Sequence, residues 1–156
     1  AVPTGAPILA LALSGDGKFV VVGKEGGDVE CYRPNDGPLW KNRTGSNVLA
    51  VDISRRGETV VAGTAGGNVH LWNYGDELWS FNAGAAVTMV ALSDNGDYLA
   101  AGAGEQAFIF RTADAPVKAA AEADAEDPTA TPTRAGGAGV LIGLLAVAAA
   151  GRIMRR

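Results

Sequence analysis

The stretch Ser54 to Trp72, SRRGETVVAGTAGGNVHLW, decides how this chain is read, because something close to it stands on either side. Upstream is SGDGKFVVVGKEGGDVECY (Ser14 to Tyr32), and downstream is SDNGDYLAAGAGEQAFIF (Ser93 to Phe110). The leading serines at 14, 54 and 93 give steps of 40 and 39 residues, and Gly23, Gly63 and Gly102 keep the same steps. Trp40 and Trp79 are 39 apart, and each lies 14 residues before the next repeat's serine. Three independent markers on one period of about forty residues define an internal repeat.

Within each repeat the pattern is short strands separated by turns. ILALALS, VLAVDIS and VTMVALS are apolar or alternating runs suited to a half-buried or buried strand. GDG, RRG and DNG follow, where glycine can take the positive φ of a tight hairpin. KFVVVG, ETVVAG and DYLAAG make a second strand, and after a further turn DVECY, NVHLW and QAFIF make a third. PNDGP and NYGDE then lead to a fourth, PLWKN and ELWSF. Four strands in about forty residues is the composition of one propeller blade.

The run V-x-x-S-x-D-G-x-x-V-x-x-G-x-x-G-G-x-V-x-L-W resembles a blade of the WD-repeat and related β-propellers. YRPNDGPLWKNRTG (Tyr32 to Gly45) also resembles the fourth-strand region of pyrroloquinoline-quinone-type propeller repeats. The resemblance spans roughly residues 1–111 and departs from the WD pattern in two places. No Gly-His opens a blade, and His70-Leu71-Trp72-Asn73 ends in Trp-Asn. It implies an all-β fold, a partial β-propeller of two full four-stranded blades plus a three-stranded one, since RTADAPVKAA replaces any fourth strand after Phe110. Propellers usually need at least four blades to close. The expectation is therefore a C-terminal part of a longer propeller, or closure against other copies.

Composition agrees with a turn-rich β protein: 22 glycines and 6% aromatics in 156 residues. The net charge of −4 is unevenly spread. Residues 1–111 carry 8 Lys/Arg against 12 Asp/Glu, residues 112–134 carry 2 against 5, and the last segment has only arginines. No basic stripe is legible along residues 1–111, so no nucleic-acid partner is expected. Cys31 is the single cysteine, which excludes an intrachain disulfide and a Cys-based metal site. No Met and no apolar leader precede Ala1, so the expectation is that processing or truncation has removed earlier residues.

Residues 112–134 read as an acidic Ala/Pro/Thr linker, a disordered tether with few bulky side chains. Ala135 to Gly151 is an uninterrupted run of 17 apolar or small residues followed by arginines. As an α-helix it would span roughly 25 Å, near the short limit for a bilayer. Residues 135–156 are thus expected to be a transmembrane helix with an Arg-rich cytoplasmic tail. Arg152, Arg155 and Arg156 set its orientation and place the propeller outside the cytoplasm. Gly139 and Gly143 form a G-x-x-x-G able to pack two such helices. With the acidic tether, the tail is similar to the C-terminal sorting signals of archaeal and bacterial surface proteins. TRAGGAG stands where their short motif would be, without the usual Pro-Gly-Phe. The localisation that follows is the cell membrane, single-pass, with membrane lipid among the partners.

No catalytic, cofactor or metal site is expected. His70 stands where the other repeats have Glu30 and Phe108, with no acid or nucleophile at a supporting spacing. Cys31 aligns with Leu71 and Ile109 and reads as a small buried hydrophobe. Asp16, Asn95 and Asp97 lie in glycine-containing turns, where Asp and Asn are ordinary turn formers and the later oxygens of a calcium loop are missing. Trp40 and Trp79, at matched positions, read as blade-packing residues. The expectation is a binding or structural scaffold module, not an enzyme, engaging protein partners or further copies of itself. The alternatives are a cytosol-facing, tail-anchored propeller scaffold and a quinone-dependent dehydrogenase-like propeller fragment.

Overall fold

In the computed structural model, which describes residues 4–114, the three repeats form three antiparallel sheets. The first holds β1 (Ile8–Leu13), β2 (Val20–Lys24), β3 (Asp28–Arg33) and β4 (Gly37–Arg43) in sequential order. The second holds β5 (Val48–Ile53), β6 (Thr59–Thr64), β7 (Asn68–Asn73) and β8 (Asp76–Asn82), again in order. The third has β9 (Val87–Leu92), β10 (Tyr98–Ala103) and β11 (Gln106–Arg111). Each sheet is one blade, and β5 lies beside both β1 and β9, so the first strands of the blades run side by side. No helix of the described residues is long and apolar enough to cross a membrane. The expected linker beyond Asp114 and the transmembrane helix, with Gly139, Gly143, Arg152, Arg155 and Arg156, lie outside the described residues.

The blades meet through two apolar clusters. Val21, Val29 and Cys31 of the first blade pack on Val48, Val60, Ala62 and Trp72 of the second. Val61, Val69 and Leu71 of the second pack on Val87, Leu99, Ala101 and Phe110 of the third. Alternate residues of a strand face opposite sides of its sheet, so β6, with a blade on each side, is buried at every position from Thr59 to Thr64. β10 occupies the same place in the third blade, yet burial there alternates between Leu99, Ala101, Ala103 and the more open Tyr98, Ala100, Gly102. Among the described residues, one neighbouring blade closes one face and the other stays accessible.

The repeat extends to its irregularities. A register shift falls between Ile8 and Ala10 in β1 and between Val48 and Ala50 in β5. A second falls between Cys31 and Tyr32 in β3 and between Leu71 and Trp72 in β7. Gly57, at φ +80°, turns β5 into β6 in a conformation that disfavours side chains, and a Cβ there would also meet the Phe19 ring.

Candidate functional site

Trp40 and Trp79, at the same place in successive blades, each reach toward the blade that follows. The Trp40 ring lies 6.2 Å from that of Trp72, and a Cβ on Gly75 would stand 2.8 Å from its Cγ. The Trp79 ring lies 5.4 Å from that of Phe110, and its Nε1–H donates to the Thr112 carbonyl at 3.0 Å.

The first blade contains a buried charge network that its sequence does not announce. Lys24 and Glu30, 2% and 6% exposed, form an ion pair, and the Tyr32 hydroxyl donates to the same Glu30 oxygen. Lys24 Nζ also donates to the Thr4 carbonyl at 2.6 Å. Outside this core, Lys41 lies 2.8 Å from Asp28 and 3.4 Å from Glu30, and Arg43 lies 3.3 Å from Asp28. Burial by itself would raise the Glu30 carboxyl, but the hydrogen bonds from Lys24 and Tyr32 outweigh it and hold the group below its usual 4.5. Burial, reinforced by the neighbouring carboxylate, pushes the Tyr32 phenol up to about 12. Lys24, Glu30 and Tyr32 are tied to one another, so the network fixes the geometry of the first blade.

His70 has the acid that its spacing in the sequence conceals. Its Nδ1–H donates to Glu77 Oε1 at 2.7 Å, and its ring stacks on Trp72 at 5.5 Å with an interplanar angle of 9°. The β7–β8 bulge is the reason. Leu71 pairs with Trp79, but Trp72 pairs with Glu77, so the slipped register puts Glu77 on the face that carries His70. His70 Nε2 is buried without a hydrogen-bond partner among the described residues. Ser80 is the cross-strand partner of His70 but forms no hydrogen bond with it, and no group of three His, Cys, Asp or Glu among the described residues could hold a metal ion.

The turns joining the first two strands of each blade lie on one rim and are tied by backbone hydrogen bonds. Asp16 N–H donates to the Arg55 carbonyl at 3.0 Å, and Arg55 N–H donates to the Asp94 carbonyl at 2.9 Å. Within them, Asp16 Oδ1 accepts from the Ser14 hydroxyl and the Lys18 amide. Asn95 Oδ1 does the same for Ser93 and Asp97. These oxygens are therefore engaged in turn formation. At the first strands, Leu9, Leu49, Val51, Met89 and Val90 line an apolar cavity that contains no ionisable side chain.

Residues 39–73 match the family model described as WD domain, G-beta repeat. That span runs from β4 through β7, so one sequence repeat bridges two blades. No curated protein matches the chain in sequence. Among solved structures, the chain is similar to the Cps50 (Swd1) beta-propeller domain of Myceliophteria thermophila, with a TM-score of 0.66 and 20% identity. The match covers 73% of this chain and 36% of that one, so this chain spans about a third of the propeller it resembles. With its blade order and its repeated bulges, the described part of the chain has the fold of a β-propeller segment, within which residues 39–73 match a WD repeat.

Proposed function

We propose that this chain is a membrane-held binding or scaffold module whose propeller faces away from the cytoplasm. The observation that carries the binding reading is the open face of the third blade. Val29 and Cys31, and then Val69 and Leu71, are buried where one blade meets the next. Among the described residues no blade covers their counterparts Ala107 and Ile109, and Met89 and Tyr98 beside them are 68% and 51% exposed. A contiguous apolar face of this kind serves association. The membrane part rests on the 17-residue apolar run and the three arginines after it.

Protease treatment of intact cells, followed by alkaline carbonate extraction of their membranes, tests the topology. The expected result is a propeller cleaved from outside and a C-terminal fragment that stays with the membrane. Protection of the propeller would assign it to the cytosolic side as a tail-anchored scaffold, and release by carbonate would remove the anchor.

A further inference from the structure

Residues 1–111 carry eight Lys and Arg against twelve Asp and Glu, and the fold distributes those eight very unevenly. Lys24, Lys41 and Arg43 are taken up by Asp28 and Glu30. Lys18, Arg33, Arg55 and Arg56 all line one surface cavity of about 490 Å³ on the turn rim, together with Asp16 and Phe19. Only Arg111 is left over.

The cavity is built from the turns themselves. Phe19 forms an apolar wall, with the Arg33 guanidinium 5.2 Å from the centre of its ring. The Arg55 backbone is clamped between Asp16 and Asp94, and its aliphatic stem lies against Gly15, where a Cβ would stand 3.0 Å from Arg55 Cγ. The one carboxylate present, Asp16, is already engaged by Ser14 and the Lys18 amide, with Lys18 Nζ 3.6 Å away. Arg33 has Asp36 at 3.8 Å, while Arg55 and Arg56 form no ion pair among the described residues. Two guanidinium forks on a backbone held from both sides, with no carboxylate of their own, are arranged to take carboxylates from elsewhere.

We infer that this cavity is a docking site for a short acidic peptide segment of a partner protein, two or three of whose carboxylates would meet Arg55, Arg56, Lys18 and Arg33. This names a partner class for the binding module proposed above and does not depend on how the chain is attached to a membrane. The surroundings favour a short peptide over a long polyanion. Asp36, Glu58 and Asp94 stand at the edges of the same rim, and residues 1–111 are net negative. A nucleic-acid strand leaving the cavity would meet repulsion in each direction. The Phe19 wall gives a peptide apolar surface to lie on.

Fluorescence anisotropy tests this with a fluorescein-labelled hexaglutamate peptide and the full chain in nonionic detergent. The expected result is saturable binding, at least tenfold weaker for Arg55→Ala/Arg56→Ala. Arg56→Ala alone should weaken it severalfold, whereas Arg43→Ala, which removes the same charge outside the cavity, should leave it within twofold. Equal losses for Arg56→Ala and Arg43→Ala would reduce the effect to the overall field of the protein and overturn the site. So would hexaglutamine binding as well as hexaglutamate, or a double variant that binds like the parent. Tighter binding of a single-stranded DNA hexamer than of the peptide would overturn the peptide assignment. None of these outcomes touches the protease and extraction results, so the two proposals fail separately.

Discussion

The Ser54 hydroxyl oxygen accepts the backbone N–H of Thr59 at 3.0 Å, closing the turn between β5 and β6. The same bond joins Ser14 to Phe19 and Ser93 to Tyr98, each at 3.0 Å. The serine at each repeat start is therefore the acceptor for an amide five residues on. Ser54 is buried in its turn, while the bond at Ser93 is exposed. Ser54→Ala strands a buried donor and should cost about 1–3 kcal/mol; Ser93→Ala, with water available to its amide, should cost about 0.5–1 kcal/mol. Urea unfolding followed by tryptophan fluorescence measures both, and equal losses would contradict the structural difference.

Gly63 and Gly102 occupy the same repeat position in different surroundings. A Cβ on Gly63 would stand 2.5 Å from Val87 Cγ1, whereas on Gly102 it would meet only Met89, at 3.5 Å. Gly63→Ala should cost about 1–3 kcal/mol through overpacking between blades. Gly102→Ala should be close to neutral in the same measurement.

Glu30 links the buried network of the first blade to pH. Its folded-state pKa is depressed, so the stabilisation it contributes is fully present above its unfolded value of 4.5 and is lost as pH falls through the lower folded value. Glu30→Gln leaves the Lys24 charge buried without a counterion and should cost about 3–5 kcal/mol at neutral pH. The variant should also lose the part of the acid-unfolding slope that Glu30 supplies. An unchanged slope below pH 4.5 would contradict this assignment.

Burial pushes the Cys31 thiol up from 9.0 to about 11. With the side chain 1% exposed between the first two blades, a thiol reagent at pH 8 should react only through opening of that interface. The observed rate should then rise steeply with urea. A fast reaction in native buffer would show that the first two blades separate readily.

Trp79→Phe keeps the aromatic packing on Phe110 but removes the donor to the Thr112 carbonyl. The expected cost is about 1 kcal/mol, with faster hydrogen exchange at the Thr112 amide, which bonds the Asp97 carbonyl at the end of the third blade. Exchange unchanged at Thr112 would show that this bond does not hold the chain end in place.

Much of this architecture was legible in the residues. The forty-residue spacing of serines, glycines and tryptophans, with alternating apolar runs between them, is enough to place eleven strands in three blades. Strand period and turn chemistry are local properties, so local sequence carries them. The site was much less legible. His70 and Glu77 are seven residues apart with nothing between them to indicate a contact, and a one-residue slip in the β7–β8 pairing brings them together. Lys18, Arg33, Arg55 and Arg56 form no single run in the sequence because two different turns and the end of β3 contribute them.

The sequence alone determined the repeat, its strands and its glycine turns, because each depends on residues a few positions apart. The tertiary structure alone decided which charges are spent and which are free. Lys24 and Glu30 neutralise one another inside the first blade, while Arg55 and Arg56, which form no ion pair among the described residues, stand beside Phe19, Arg33 and Asp16. Coulomb attraction and desolvation depend on distance and burial rather than on order along the chain. A composition that is net negative thus folds with a cavity on its surface where cations gather.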